Sequence, residues 1–323
     1  MAASREHIVL GDIGATNARF ALLADGALGS VASIPVANHP HFSGALQAFL
    51  SQRGQPPVAG AMLAVAAPVD GERCAFTNCA WQIDGAELRH TFGFATLRLL
   101  NDFEASAYAL PHLTKDDLHP LGGGTPIADA PMAVLGPGTG LGVACFVPGP
   151  QGPVVIASEG GHVTLPATSD REEAIIGHLR RHFEHVSAER AVSGGGLENL
   201  YRAIAAIDGV NVPQRDAAGI TACALDGTCA VSLAALDQFC AMLGTVAGNV
   251  ALTYGARGGV FVAGGIAPRI VRHLARSNFR ARFEAKGRYR NYLKAIPTSV
   301  IVRPDATFLG LMALVKADRR ARV

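Results

Sequence analysis

Gly11-Asp12-Ile13-Gly14-Ala15-Thr16-Asn17 lies between two apolar runs, residues 8–10 and 18–23. Small residues at a bend let successive backbone N–H groups face one concavity, an anion-binding nest, and Thr16 and Asn17 can add side-chain hydrogen bonds. Asp12 would repel a phosphate unless a cation stood between them, and Mg2+, bound directly or through its water, meets that need. An ordinary Asp/Gly hairpin turn is the competing explanation. The turn Ala24-Asp25-Gly26 and a short apolar run near residues 31–36 complete a β-meander.

The pattern recurs in outline. Gly136-Pro137-Gly138-Thr139-Gly140-Leu141-Gly142 joins apolar runs at 132–135 and 143–147, with a third at 154–157. No Gly-Lys-Ser/Thr follows, so this is not a Walker A loop, and Leu141 stands where a Rossmann fingerprint needs its third glycine. Glycines at alternate positions between two strands allow a hairpin to wrap a phosphate with backbone amides, with Thr139 donating its hydroxyl; a glycine-rich hairpin without a ligand is the alternative. Two meanders with glycine-rich first turns read as a duplicated unit, its phosphate-binding hairpins facing each other across a cleft.

Helices and strands alternate around them. Residues 42–52 predict a helix, 58–66 a buried central strand, and Asp84 an N-cap for a helix reaching about His90. A strand at 96–100 ends in Asn101-Asp102 and runs into a helix that Pro111 closes. Further on, Ser169 with Glu172 forms a capping box for a helix to about Glu184, and helices follow at 196–207, 214–224 and 231–255. A strand at 259–263, a helix from about Pro268, a strand at 299–302 and a helix at 307–316 finish the chain. The expected class is α/β, in two lobes: a small domain at 1–111 completed by 301–323, and a large domain at 112–300.

Three more stretches carry chemistry. Asp102 sits at the C-terminal end of a buried strand, where open α/β sheets place active-site residues, and a carboxylate there suits proton removal from a hydroxyl. An N-cap of the following helix is its alternative role. Ser158-Glu159-Gly160-Gly161-His162-Val163 puts a carboxylate and an imidazole on a tightly turning backbone, suited to one face of a polyhydroxylated sugar; no further ligands sit nearby to make Glu159 and His162 a metal pair. Glu189 reads equally well as a solvated helix charge. The strand through Val262 ends in Gly264-Gly265, where a ring or ribose could lie on the backbone, or where strand and helix simply pack tightly.

The chain has 323 residues, 49% hydrophobic and 17% charged, which suits a globular protein with a large core and excludes disorder. A net charge of +2 without a basic stripe argues against nucleic-acid binding. The six cysteines form no C-x-x-C pair and no zinc-finger spacing, so reduced, mostly buried thiols are expected. Asp12, Asn17 and Arg19 interrupt the first apolar stretch, so no signal peptide is read there. Asp237, Gln238 and Asn249 interrupt the long apolar stretch at 230–256, which therefore reads as a buried helix rather than a membrane span. A cytoplasmic location without membrane attachment is expected.

Taken in order, these stretches resemble the bacterial ATP-dependent glucokinase family, within the superfamily of sugar kinases, actin and heat-shock ATPases. The resemblance runs from Gly11–Asn17 through Leu100–Ala105, Gly136–Gly142, Ser158–Leu165 and the run Glu189-Arg190-Ala191-Val192-Ser193-Gly194-Gly195-Gly196-Leu197 to Val262–Ala267. It implies a two-lobed actin-like (ribonuclease H-like) fold, ATP and Mg2+ as cofactors, phosphorylation of glucose at its 6-hydroxyl as the first step of glycolysis, and a homodimer. It implies Asp102 as catalytic base, with Asn101, Glu159, His162, Glu189 and, less firmly, Asn78 as sugar contacts. Gly11 to Asn17, Gly138, Thr139, Gly140, Gly264 and Gly265 would hold the nucleotide, with the metal near Asp12. Ala15 replaces a family glycine and Gly195 a common proline; the Cys-rich zinc motif of the related repressor/kinase group is lacking. Kinases for mannose, fructose or a carboxylate, and a non-enzymatic ATP-binding actin-like protein, are the rival readings.

Overall fold

In the computed structural model of the chain, residues 7–76 and 79–321 are described, with side chains to residue 318. The chain divides into two units, one formed by residues up to Leu113 and from Pro304 onward, the other by Thr114–Arg303.

The first unit begins with β1 (His7–Ile13), β2 (Asn17–Ala24), β3 (Ala27–Leu28) and β4 (Ala32–Pro35), followed by α1 (Phe42–Gln52) and β5 (Val58–Val65). Short strands β6 (Val69–Asp70), β7 (Arg73–Ala75) and β8 (Gln82–Asp84) make a separate small sheet. Then come α2 (Gly85–Phe92), β9 (Thr96–Asn101) and α3 (Asp102–Ala109). The main sheet runs β3-β2-β1-β5-β9, with β4 also on β2; β1 and β2 are antiparallel, while β1, β5 and β9 are parallel. β5 is buried along most of its length, as a central parallel strand must be. Asp84 caps α2, accepting from the Ala86 amide at 2.8 Å, and Gly93 ends it in the left-handed conformation.

In the second unit, β10 (Leu118–Gly122) precedes β11 (Met132–Pro137), β12 (Leu141–Val147) and β13 (Val154–Ser158). Helices α4 (Asp170–Leu179), α5 (Gly194–Asp208), α6 (Ala217–Leu225) and α7 (Ala230–Tyr254) follow. β14 (Gly259–Val262), the short helices α8 (Val271–Leu274), α9 (Phe279–Glu284) and α10 (Arg290–Ala295), and β15 (Thr298–Ile301) complete it. The sheet order is β10-β15-β14-β11-β12-β13, again an antiparallel meander continued by parallel strands. The two units thus repeat one topology. The chain then returns to the first unit as α11 (Ala306–Ala321), where Phe308, Leu311, Leu314 and Val315 pack with Leu10, Met62, Leu100 and Ala105.

α7 is long and apolar enough to cross a membrane, yet 72% of its most apolar window is buried within the protein, as in a core helix. Of the six cysteines, Cys74, Cys145 and Cys240 are buried, whereas Cys79, Cys223 and Cys229 are partly exposed; the expectation of mostly buried thiols holds for half of them. The helix expected to reach Glu184 stops at Leu179. Ser169 does cap it, but Glu172 accepts from Thr168 and Gln238 and pairs with Arg282 at 2.9 Å, fully buried.

Candidate active site

Both glycine turns are shorter than the sequence suggests. Gly11, Asp12 and Ile13 lie within β1, paired with Phe20, Arg19 and Ala18 on one side and with Leu63, Ala64 and Val65 on the other. Glycine permits the bend but does not force it, and with strands on both sides the ladder wins. The loop left is Gly14-Ala15-Thr16, closed by the Gly14 amide donating to the Asn17 carbonyl at 3.0 Å. Thr16 and Asn17 are exposed at its tip. Likewise β11 and β12 run on through Gly136–Gly142 and Pro137–Leu141 pairs, leaving Gly138-Thr139-Gly140, whose Gly138 amide donates to the Gly140 carbonyl at 2.8 Å.

In the first unit, β9 delivers Asn101 and Asp102 to the start of α3. Asn101 is the N-cap: its side chain accepts from the Phe103 amide at 2.9 Å. Asp102 is the first helical residue, with Oδ1 3.0 Å from the same amide, so the capping role falls chiefly on its neighbour. Asp12 pairs with Arg19, whose guanidinium also donates to the Pro304 carbonyl at 2.8 Å. Among the described residues no group of three His, Cys, Asp or Glu side chains is placed to hold a metal ion. A single carboxylate such as Asp12 fits magnesium carried on nucleotide phosphates better than a resident ion, because Mg2+ keeps several waters and needs few protein ligands. Asn78 lies outside the described residues.

The second unit brings the other motifs together. Glu189 Oε2 accepts from the Leu141 amide at 2.9 Å, so its carboxylate is tied to the rim of the second hairpin. Its segment is tied in turn to Glu159 and His162: Thr164 bridges Ser187, and the Ala188 amide donates to the Val163 carbonyl at 2.8 Å. A single turn of 3-10 helix, Gly160–His162, presents Glu159 and His162 outward, 76% and 59% exposed, with Oε2 and Nε2 3.9 Å apart. That turn sits hard against β12, because a Cβ on Gly161 would overlap the Leu141 carbonyl oxygen. Only glycine serves there. The Gly138 carbonyl accepts from the Gly194 amide at 2.8 Å, which fixes the N-terminus of α5 to the hairpin, and Ser193 caps α5 through the Gly196 amide at 2.9 Å. Gly264, at φ +82°, lies on the Gly136-Pro137 backbone, and the Ile266 amide donates to the Pro137 carbonyl at 3.3 Å.

Thr139, Glu189, Arg190, Ser193, Glu198 and Arg202 line one cavity of about 300 Å³. Two of its cations carry no sequence signal. Arg190 is stacked 4.2 Å from the Phe183 ring centroid, and Arg202 donates to Asn199 Oδ1 at 2.8 Å. The wall thus offers two cations and two carboxylates, Glu189 and Glu198, beside a glycine hairpin, a combination that accommodates anionic and hydroxylated groups together.

The glucokinase family model matches residues 9–318. The chain is 46% identical to the glucokinase of Paramagnetospirillum magneticum over 97% of its own length and 99% of the relative's. It is 43% identical to the glucokinase of Chromobacterium violaceum, covering 94% of this chain and 88% of that one. A solved glucokinase from an Antarctic psychrotroph superposes with a TM-score of 0.86 at 37% identity, over 97% of this chain and 99% of the other. With the motifs in family order along an actin-like ATPase fold matched from end to end, the chain belongs to the glucokinase family.

Proposed function

We propose that this chain transfers the γ-phosphoryl group of ATP to the 6-hydroxyl of glucose. The observation that carries the reading is the junction in the second unit, where Glu189 is bonded to the nucleotide-type hairpin and shares a cavity wall with Thr139. Phosphoryl transfer asks the protein chiefly for positioning and charge neutralisation. The amides around Gly138–Gly140 and the Thr139 hydroxyl take the phosphates, and Gly264 and Gly265 lie against the nucleoside. Gly14, Ala15, Thr16 and Asn17 supply the second phosphate contact. Glu159, His162, Glu189 and Asn101 hold the sugar hydroxyls, and Asn78 is assigned there by resemblance. Asp102 accepts the proton of the attacking hydroxyl. Magnesium, bound with the nucleotide, would neutralise phosphate charge, and Asp12, whose Oδ2 pairs with Arg19, would hold it directly or through its water.

The test is glucose-dependent ADP release, with mannose and fructose as controls. Asp102→Ala should lower kcat by orders of magnitude while ATP still binds; near-normal turnover would refute the role of Asp102. The reading extends to a cytoplasmic homodimer, supported by family resemblance, and a monomer in sedimentation velocity would overturn that part.

A further inference from the structure

Away from these motifs, one thiol stands at the start of α7, beside the segment that joins α5 to α6. Cys229 is the N-cap residue of the 25-residue α7, partly exposed, with extended backbone. Arg215 Nη1 stands 3.6 Å from its sulfur and also donates to the Tyr201 hydroxyl at 2.7 Å, which holds the guanidinium in place. Ser232, one turn into α7, is fully buried, and its hydroxyl is the one buried side-chain polar atom among the described residues without a hydrogen-bond partner.

A buried hydroxyl left unpaired costs about 1–3 kcal/mol, so it calls for an explanation. A neutral thiol is a poor acceptor; a thiolate is a good one. The Cys229 thiol is held below its ordinary value first by the Ser232 hydroxyl, which has no partner while the thiol is neutral and would bond the thiolate, against the burial that raises it, with the Ser232 and Val231 amides and Arg215 adding to the effect. The buried thiols behave in the opposite way: burial pushes Cys74 and Cys145 up to about 11 and Cys240 to about 12.

We propose that Cys229 is a thiol-modification site, a thiolate seated between Arg215, Ser232 and the N-terminus of α7 that attacks low-molecular-weight disulfides. The sulfur attacks one sulfur of the small disulfide, a new S–S bond forms as the old one breaks, and the departing thiolate takes a proton from water. Cys229 is oxidised to a mixed disulfide and the other half of the small molecule is reduced to a thiol. Ser232 gains its acceptor in the reactive form, and Arg215 neutralises its charge.

The experiment treats the full chain with iodoacetamide from pH 5.5 to 9 and quantifies each cysteine by peptide mass spectrometry, with oxidised glutathione as a second probe. At pH 7 Cys229 should react at least about tenfold faster than Cys79 and Cys223, the other partly exposed thiols, because its thiolate fraction is higher. One glutathione should be found on Cys229 and none after Cys229→Ser. Arg215→Gln and Ser232→Ala should each move the Cys229 midpoint to higher pH. If Arg215→Gln does not fold, Ser232→Ala carries the test, since that hydroxyl has no partner to lose. Labelling of Cys229 no faster than Cys79 and Cys223, an unmoved midpoint in Ser232→Ala, or glutathione on another cysteine would overturn the proposal.

Discussion

Gly140→Ala separates what the second hairpin does for stability from what it does for the sugar. A Cβ at Gly140 would stand 2.5 Å from Glu189 Oε2 and 3.3 Å from Glu189 Cδ, whereas ordinary contact begins near 3.4 Å. The carboxylate must therefore withdraw by about 0.9 Å, the difference between 3.4 and 2.5 Å. Backing away along that line stretches its 2.9 Å bond to the Leu141 amide beyond hydrogen-bonding range. The displaced atom is the end of a flexible side chain, so folding loses little beyond that bond, about 1–2 kcal/mol, or a few degrees in Tm. Activity loses more. A misplacement near 1 Å in a positioning group costs on the order of 10²-fold, so kcat/KM for glucose should fall by about that factor while KM for ATP changes little. A coupled ADP assay with each substrate varied separately reads this, and differential scanning calorimetry reads the Tm. Gly138→Ala is the comparison: its Cβ meets nothing within 4 Å, in the hairpin assigned to phosphate, so it should raise KM for ATP and leave Tm unchanged. A Gly140→Ala protein within twofold of the parent in glucose kcat/KM would refute the placement of Glu189 at the sugar, and equal effects on both substrates would refute the division of labour.

Arg282→Met should lower stability by about 3 kcal/mol, because it leaves the Glu172 carboxylate, 1% exposed, without its cation; a thermal or urea melt checks it, and Glu172→Gln in that background should recover part of the loss. Gly310→Ala should cost about 1–3 kcal/mol, since a Cβ on α11 would overlap the Ala105 carbonyl oxygen of α3, where neither backbone can yield cheaply; chemical denaturation measures it. His178 is held below its ordinary value, first by burial and then by His182 and Arg181. A depressed histidine adds stability that is present above the unfolded value and lost as pH falls through it, so His178→Gln should lose less Tm than the parent between pH 7 and pH 5.

The features legible in the sequence were those that act locally. Asp84 capping α2, the apolar run that became β5, and the glycine turns that close the two meanders all rest on interactions a few residues long. The shortfalls have a common cause. Gly11–Ile13 and Gly136-Pro137 carry loop-forming residues, yet strands on both sides draw the first into ladders and β12 draws in the second, which no local window records. β10, with Pro120 and Gly122, carries no strand pattern in the sequence, and as an edge strand on β15 it accommodates a residue without an amide proton. Glu189 reads equally well as a solvated charge until its bond to Leu141, 48 residues away, is seen. Arg190 and Arg202 reach the same cavity through α5 and the turn before it, and their spacing gives no hint of it.

The return of α11 to the first unit has a consequence for how the protein is made. Leu10, Met62 and Leu100 lie on the sheet face that Phe308, Leu311 and Leu314 cover, so that face stays bare until α11 has been synthesised. The ribosome must add all of Thr114–Arg303 first, which at about 5–20 residues per second takes roughly ten to forty seconds. During that interval the nascent amino-terminal half offers an apolar surface to chaperones or to neighbouring chains, while the intervening segment can already close its own core. Yield in the cell should therefore depend on how soon α11 reaches this face, and a truncation that removes it would cost more than the residues it takes away.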